Sequence, residues 1–446
     1  MYKPYQKPVI NAFADVKVAA PKISNFFILI VYFLSKIYFF ILFGFAKIQL
    51  AGDITLFNVF KKVLKGESRC IIAFRHPDGR EPQLLLWLFL FKLKKLARKK
   101  KVRFSRSPHV IFVYGYEVAR WGGRAARFFM PKLGAIPIHH TKMDSKGMFR
   151  IYSAIQDGPY PLAIAPEGQV SYSTDNVPRL EPGIARIGFQ AAEKIKDIPL
   201  EILPVSIHFR YGKNGEAAME KLLRKIEKLC GFSRNETKLL NLEQRLNNNR
   251  EYILKVNEKR YGIKSDNTQP FEIRLQNMTE IALSNAERMS NIKPEGDFFA
   301  RLYKVRHECW DNIFLPNNEK LNTISKIKRC ILDLKAGEAW HINRHQEIAD
   351  FAWYFNNPLP NNKTTLHKRA EYIQNLWDFA NRTMGGAFKN RINIPAKKVI
   401  IKITEPVNLT ERLGDYKNDK KGTVANLMED LKKSYLNCIR EVNKEY

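Results

Sequence analysis

Cysteine is scarce in this sequence, and acidic residues are few for its length. The five cysteines lie far apart, include no CxxC pair and are odd in number. This pattern argues against a disulfide framework and against a zinc site, and it is typical of a protein in a reducing compartment. Asp and Glu total 44 against 75 Lys and Arg, so the formal net charge is +31. Such an excess indicates an acidic partner: nucleic acid, an anionic lipid surface or an acidic protein.

The chain is long and rich in aromatic side chains. With 446 residues it can bury a large core in two or three domains. Aromatic residues make up 12% of the chain and are mostly Phe and Tyr, which suits a lipid interface at least as well as a nucleic-acid surface. For much of the second half, the simpler interpretation of the charge is a solvated, Lys-rich surface.

An apolar stretch at residues 23–46 follows a polar segment, residues 1–22, that we predict to be loosely ordered. The stretch is about as long as a helix that spans a bilayer core of roughly 30 Å. Lys36 interrupts it, so a spanning helix and an in-plane or re-entrant anchor are both open, and a buried soluble helix is the third alternative. The stretch has no compact basic start and no small-residue cleavage site, so we do not interpret it as a removed signal peptide.

A second apolar run, at residues 84–91, is too short to span a membrane and leads into a dense basic run at residues 92–103. This combination predicts a helix pressed against anionic headgroups on the cytoplasmic side of a membrane. The alternative is a core helix with a nucleic-acid-binding tail. Membrane contact is favoured because the first apolar stretch is already present.

Short apolar runs alternate with segments of helical periodicity in the first half of the chain. We predict strands at 70–74, 110–114, 134–138, 161–165 and 202–209. Strands that alternate with helices are typical of an α/β fold, in which functional sites collect where strands end. Residues 212–395 are instead polar, rich in Lys and Asn, and helical. Strand character returns at 398–404, and a closing helix is predicted at 423–443.

A histidine stands where the first of these strands breaks. Residues 70–74 lead into Arg75 and His76, a turn at 77–79 follows, and Glu81 comes five positions after the histidine. A strand that ends in this way holds an imidazole at a sheet edge. A carboxylate at that spacing can return to the ring, fix its tautomer and stabilise the imidazolium. Taken alone, a His–acid pair at this spacing is more often part of a surface turn.

Four segments carry a resemblance to a known family. They are, in order, Arg75-His76 with Glu81, residues 134–138, Ala165-Pro166-Glu167-Gly168, and residues 203–207. Their order and spacing resemble the glycerolipid acyltransferase family, of the 1-acylglycerol-3-phosphate acyltransferase type. The family's blocks are His-four residues-Asp, a Gly-headed strand that ends in Arg, Phe-Pro-Glu-Gly-Thr-Arg, and an apolar strand that contains Pro. Residues 398–409, with Glu405-Pro406 inside, resemble its closing strand and Gly-x-Pro turn.

The resemblance covers roughly residues 50–211 and 396–446. It implies a glycerolipid acyltransferase-like α/β fold, with a mixed central sheet flanked by helices. Residues 212–395 then form a large, mostly helical insertion between two strands of one domain. The predicted divisions are an N-terminal tail and membrane-anchoring helical segment (1–49), the first part of the acyltransferase domain (50–211), the insertion (212–395), and the closing strand and helix (396–446).

The resemblance also implies that His76 is the catalytic base and that Glu81 orients it. Glu81 stands where the family usually has Asp, and Asp78 is a substitute candidate at a different spacing. The Arg positions of the second and third blocks fall on His140 and Val170, and in the family these cations help to hold the acceptor's phosphate. The residues we expect to contact substrates are Arg75, Arg80, His140, Glu167, Gly168 and Arg179.

The lost Arg positions leave the acceptor class open. Either other cations near in sequence replace them, or the acceptor carries no phosphate there. The candidate replacements are Lys142, Arg150, Arg179 and Arg186.

We therefore expect a membrane-associated O-acyltransferase at the cytoplasmic face of the inner or plasma membrane. A base takes the proton as an acceptor hydroxyl attacks a thioester carbonyl, and a neutral histidine oriented by a carboxylate can do this near neutral pH. The chain has no GxSxG elbow, so direct transfer without an acyl-enzyme is the simpler mechanism. The expected partners are anionic membrane lipids, a lysophospholipid acceptor and an acyl-CoA or acyl-carrier-protein donor; nucleic acid is not among them.

Two other functions are open. One is acyl transfer to a glycolipid, an aminolipid or another acceptor without phosphate, which the lost Arg positions favour. The other is a non-catalytic lipid- or nucleic-acid-binding protein on the same fold. No metal or redox cofactor is implied. His341 and His345 share a helix face, but no Glu follows His341 as in a zinc protease, so we predict no metal site there.

Overall fold

The computed structural model describes residues 9, 11–41, 45–139, 144–195, 197–315, 321, 323–387, 391–395 and 397–445. Its strands are β1 (Phe13–Ala14), β2 (Phe45–Ala51), β3 (Arg69–Phe74), β4 (Ile111–Gly115), β5 (Ile136–Ile138), β6 (Leu162–Ile164), β7 (Leu200–Tyr211), β8 (Phe314–Leu315), β9 (Lys397–Ile403) and β10 (Val407–Asn408). Its helices are α1 (Asn25–Ile41), α2 (Asp53–Lys65), α3 (Glu81–Trp87), α4 (Lys94–Lys99), α5 (Glu117–Trp121), α6 (Gly123–Lys132), α7 (Ser145–Gln156), α8 (Gly183–Ala192), α9 (Lys213–Leu229), α10 (Arg234–Thr237), α11 (Leu242–Arg260), α12 (Phe271–Met289), α13 (Phe298–Ile313), α14 (Lys326–Phe355), α15 (Leu366–Thr383), α16 (Leu413–Asn418) and α17 (Lys420–Glu445). A π-helical turn, Leu88–Leu93, joins α3 to α4.

The chain folds into two compact units. The sheet unit contains the described residues of Val18–Gly212 and Ala396–Tyr446, and the helical unit contains those of Met1–Lys17 and Lys213–Pro395. The start of the chain belongs to the helical unit because β1 pairs in parallel with β8 and because Ala12 is hydrogen-bonded to α14. The predicted tail and anchor, residues 1–49, is thus divided between the two units.

The sheet unit is built on a mixed sheet. Its strand order is β2-β9-β7-β3-β6-β4-β5, and β10 pairs with the first residues of β7. Strands β7, β3, β6, β4 and β5 run parallel to one another, whereas β9 is antiparallel to β7 and pairs in parallel with β2. Helices α2 and α7 pack against β3, and α8 and α17 pack against β7. The predicted α/β fold with a mixed central sheet flanked by helices is confirmed.

The two central strands explain why the sequence folds in this way. Strands β3 and β7 are buried along almost their whole length, as parallel strands are when helices cover both faces of a sheet. They pair in register from Arg69 opposite Leu200 to Phe74 opposite Val205. From α17, the buried Tyr435 hydroxyl donates a hydrogen bond of 2.9 Å to the carbonyl of Ala73. The last helix of the chain is therefore fixed directly behind the strand that leads to His76.

The long segment between β7 and β9 leaves the sheet and returns to it at paired positions. Strand β7 ends at Tyr211, β9 begins at Lys397, and these two residues are antiparallel partners. Because both ends of the segment meet in register, the sheet continues across the point where residues 212–396 leave it. Within the helical unit, α14 packs along α12 and α13, and α15 packs against α9 and α14.

The first apolar stretch of the sequence is only partly helical. Helix α1 covers 17 residues of the stretch predicted at 23–46, and β2 already begins at Phe45. No helix among the described residues is both long enough and apolar enough to cross a membrane.

The second apolar run, residues 84–91, lies in the core of the sheet unit. Phe89 packs on Phe60 of α2, with ring centroids 4.7 Å apart. The prediction that this run presses against lipid headgroups is wrong for five of its side chains, because the protein itself buries them. The residues that are at most 1% exposed are Leu84, Leu85, Leu88, Phe89 and Leu90.

Candidate functional site

The site lies at the carboxyl ends of two neighbouring parallel strands. Strand β3 pairs with β6 from Ile71 opposite Leu162 to Ala73 opposite Ile164. The loop that carries His76 and the loop that carries Glu167 therefore leave the sheet side by side at the same edge. This edge is where binding sites of open α/β sheets form.

His76 and Glu81 are in direct contact. The Nδ1 atom of His76 lies 2.6 Å from Oε2 of Glu81, whose side chain is fully buried. The Glu81 carboxylate also accepts hydrogen bonds from the backbone N–H groups of Asp78, at 2.7 Å, and Gly79, at 2.8 Å. Gly79 has φ +99°, a conformation that a residue with a side chain rarely adopts. The turn thus folds back on Glu81, which begins α3 beneath the imidazole ring.

The contact with Glu81 affects the pKa of His76 and decides which of its ring nitrogens is available. Burial acts to lower the pKa of His76, but the charge of Glu81 and its hydrogen bond outweigh burial, and the pKa is raised above its usual 6.5. Glu167 and Asp78 add smaller effects in the same direction. Because Nδ1 is held by Glu81, Nε2 is the ring nitrogen that can take a proton from a substrate. The His76 side chain is 18% exposed, so it is not fully enclosed by the protein.

Arg75 and Glu167 hold the His76 loop from inside the protein. Both side chains are fully buried, and Nε of Arg75 lies 3.0 Å from Oε1 of Glu167. The same carboxylate oxygen accepts the backbone N–H of His76 at 3.2 Å. The Arg75 guanidinium also donates to three backbone carbonyls of residues 173–176. The sequence predicts substrate contacts for Arg75 and Glu167. The structure instead buries both side chains, and their ion pair connects the His76 loop to the Glu167 loop.

Gly168 allows the second loop to turn back towards His76. It has φ +72°, and a Cβ atom at this position would come within 3.1 Å of Cγ of Glu181. Three residues later, the N–H of Ser171 donates a hydrogen bond of 2.9 Å to the carbonyl of His76. The backbone N–H of His76 is thus bonded to Glu167, and its backbone carbonyl is bonded to Ser171.

Asp78, the substitute candidate for the carboxylate, is bonded to two cations and not to His76. Its carboxylate accepts hydrogen bonds from the Arg80 guanidinium, one of them at 2.8 Å, and from Nζ of Lys397. Burial acts to raise the pKa of Asp78, but the charges of Lys397 and Arg80 outweigh it and hold the pKa below its usual range. Arg80, predicted to contact substrate, is therefore tied to its own loop.

Lys397 contacts this loop although it is distant in sequence, and it was not predicted as a site residue. It is the first residue of β9 and its side chain is only 2% exposed. Its ammonium lies over the rings of Phe209, at 5.0 Å, and Tyr211, at 5.5 Å, while Arg80 lies over Phe45 at 5.0 Å. Aromatic faces of this kind stabilise cations that have lost water. No local signal identifies Lys397, because its partner Asp78 is 319 positions away.

Of the remaining predicted positions, the structure describes only some. His140 and Lys142 lie outside the described residues. Arg179 is exposed, in the segment between β6 and α8. Val170, at the third-block Arg position, lies beside the turn: its Cγ2 is 3.7 Å from where a Cβ of Gly79 would stand.

Two further side chains follow β4 and β5 at this edge. The His139 ring stacks on Tyr116, with centroids 4.4 Å apart, and the Arg120 guanidinium lies 5.6 Å from the Tyr116 ring. The backbone N–H of His139 donates to Asp144 at 3.1 Å. Sequence reasoning located the strand before His139 but missed Tyr116 and Arg120, because their positions depend on β4 and β5 being neighbours.

The described residues offer no group of three or more His, Cys, Asp or Glu side chains that could hold a metal ion. Nδ1 of His345 instead lies 3.0 Å from the Tyr261 hydroxyl. Its pKa is lowered, first by burial and then by nearby cations.

A histidine whose Nδ1 is fixed by a buried carboxylate is an arrangement for proton transfer through Nε2. The chain matches no protein-family model, no curated protein and no solved structure. The geometry of the site and the order of the four segments are therefore the basis for assigning a function.

Proposed function

We propose that this protein is a membrane-associated O-acyltransferase. It moves a fatty acyl group from acyl-CoA or acyl-carrier protein to a hydroxyl of a lysophospholipid, with His76 as the general base. The observation that carries the proposal is the 2.6 Å contact between His76 and the buried Glu81 at the carboxyl edge of the sheet. The resemblance of the four ordered segments to the glycerolipid acyltransferase family supports the reaction class.

In the proposed reaction, the acceptor hydroxyl attacks the thioester carbonyl carbon directly. A C–O bond forms as the C–S bond breaks, and the hydroxyl proton passes to Nε2 of His76. Glu81 stabilises the imidazolium that results, and His76 then returns the proton to the departing thiolate. Arg75 and Glu167 keep the His76 backbone in place during this transfer through the contacts described above.

One observation favours an acceptor that carries no phosphate. The third-block Arg position is the apolar Val170, which lies beside the Gly79 turn, and the nearby Arg80 is bonded to Asp78. A site that reads phosphate uses Arg or Lys to bind it. The alternative acceptor is therefore a glycolipid or aminolipid. Paired lysolipids with and without phosphate distinguish the two, since equal use of both would show that phosphate is not recognised.

The exposed face of α1 supports membrane association. Phe26, Leu29 and Phe33 stand at helical spacing and are 66%, 44% and 65% exposed. Tyr32, on the same helix, stacks on Phe91 at 4.4 Å and lies under the Lys94 ammonium at 4.7 Å. The basic run at residues 92–103 thus begins next to an apolar helix face, which is the arrangement of helices that lie in the plane of a membrane surface.

The test is thiol release from acyl-CoA and from acyl-carrier protein in detergent micelles, with a panel of lysolipids. We expect acceptor-dependent release that falls by about 10²–10⁴-fold in His76→Ala, the usual contribution of a positioned base. The matched control is His307→Ala, which removes another His–carboxylate pair (Nε2 to Asp311 Oδ2 3.2 Å) in the helical unit; its activity should equal the wild type. Near-normal activity of folded His76→Ala would refute the base assignment. No release with any donor or acceptor would favour the non-catalytic binding protein.

A further inference from the structure

The first three turns of α14 carry an apolar stripe that faces solvent. Ile327, Ile331 and Leu334 are 76%, 51% and 65% exposed. Their spacing of four and three residues places them on one side of the helix, and the exposed Cys330 lies beside them. A stripe of this kind normally faces a protein core. The first buried residue of α14 is Ala336.

The opposite side of these turns is fixed to the helical unit. The Arg329 guanidinium donates to the carbonyl of Ala12 at 2.9 Å, and the N–H of Ala12 donates to the Asp333 carboxylate at 2.7 Å. Arg329 and Asp333 also pair with each other at 3.0 Å. The segment before β1 therefore holds this side of the helix, and the apolar stripe is presented outward.

Lysines flank the stripe on both sides. Going round the helix, Lys326 lies on one side of Ile327, and Lys328 and Lys335 lie on the other; all three are exposed. The face continues towards the C-terminus with exposed Glu338 and His341, so the apolar surface ends after three turns. Ile and Leu side chains with lysines at their margins match a bilayer surface, where the apolar groups enter the acyl region and the ammonium groups meet phosphates.

We propose that the stripe formed by Ile327, Cys330, Ile331 and Leu334 docks the helical unit on an anionic lipid bilayer. The flanking lysines favour an anionic bilayer as the partner of the stripe, because each lysine near an anionic surface adds to the attraction. This contact is separate from α1 and uses no residue of the acyl-transfer site. It therefore holds or fails independently of the proposed reaction.

Cys330 allows a direct test on the full chain. It is exposed, and the other four cysteines are buried, so a thiol-reactive dye that is sensitive to polarity labels the stripe selectively. The labelled protein is mixed with vesicles of phosphatidylcholine alone and of phosphatidylcholine with phosphatidylglycerol. We expect a blue shift with the anionic vesicles that weakens at high salt.

Two variants complete the experiment. Ile331→Glu should abolish the blue shift and weaken vesicle partitioning about tenfold or more, the factor that burial of one Ile side chain contributes. Leu239→Glu is the matched control, because Leu239 is 87% exposed in the same unit but outside the stripe; it should behave as the wild type.

Three results would overturn the proposal. The first is an unshifted dye on protein that sediments with anionic vesicles. The second is a shift that appears on raising the protein concentration without vesicles, which would identify a second copy of the chain as the occupant. The third is a shift with an acidic carrier protein and none with vesicles. Thiol release from acyl-CoA, measured on the same samples, reports separately on the proposed reaction.

Discussion

Replacing Lys397 by Met tests how β9 supports the His76 loop. Methionine fills most of the same volume but leaves the Asp78 carboxylate with Arg80 as its remaining cation. The Lys397 and Asp78 side chains are only 2% and 6% exposed, so water cannot replace the lost ammonium. Removing one partner of a buried ion pair costs about 3–5 kcal/mol. We expect about 3 kcal/mol, the lower end of that range, because Arg80 still holds Asp78 by two hydrogen bonds.

The order of the related variants follows from the same charges. Asp78→Asn should be more destabilising than Lys397→Met, because it leaves two cations, Lys397 and Arg80, without their shared carboxylate. In the double variant, Lys397→Met should therefore restore part of the stability that Asp78→Asn removes. The control is Lys402→Met on the same strand, whose partner Glu441 is 62% exposed; it should cost less than about 1 kcal/mol.

Amide hydrogen exchange of peptides from β3 and β9 measures these effects locally, with peptides of the helical unit as internal reference. A loss of about 3 kcal/mol corresponds to exchange that is about a hundredfold faster. The pKa of Asp78 is lowered in the folded protein, so its stabilising contribution is present above the ordinary pKa of 3.8 and is lost as pH falls through the folded value. The gap between wild type and Lys397→Met should narrow in acid. Unchanged exchange in Lys397→Met, or a double variant less stable than Asp78→Asn, would refute the reasoning.

Two further predictions concern the loops around His76. Glu81→Gln removes the charge that raises the pKa of His76, so the pH at which activity is half lost in acid should move down in the kcat/KM profile; movement to higher pH would contradict the assignment. Gly168→Ala forces a side chain into φ +72° and should cost roughly 1–2 kcal/mol of unfolding free energy in denaturant titration. Gly183→Ala, with open space around its position, is the control and should show no such loss.

Local pattern was sufficient to predict most of the central strands. The strands expected at 70–74 and 202–209 correspond to Arg69–Phe74 and Leu200–Tyr211, and the returning strand at 398–404 corresponds to Lys397–Ile403. Each segment is rich in apolar and β-branched residues, and such a signal depends only on neighbours in the chain. Strand β2 was missed because it directly follows an apolar helix, and its partner β9 lies at the far end of the chain.

The same local pattern could not decide what an apolar run is buried against. Residues 84–91 have the composition of a membrane-contacting helix, yet five of these side chains are at most 1% exposed and Phe89 packs on Phe60 of α2. Burial in protein and burial in lipid satisfy an apolar side chain equally, so composition does not distinguish the two. The packing of Phe89 on Phe60 shows that this run is buried in protein.

The candidate site divides in the same way. The sequence by itself determined that His76 and Glu81 stand five positions apart around a turn, a spacing that lets the carboxylate return to the ring; the structure shows this contact at 2.6 Å. Only the tertiary structure decided that Arg75 and Glu167 face inward and that Lys397 holds Asp78. These contacts join residues that are about a hundred or several hundred positions apart. They form because parallel strands bring their carboxyl ends to one edge and because β9 returns between β2 and β7.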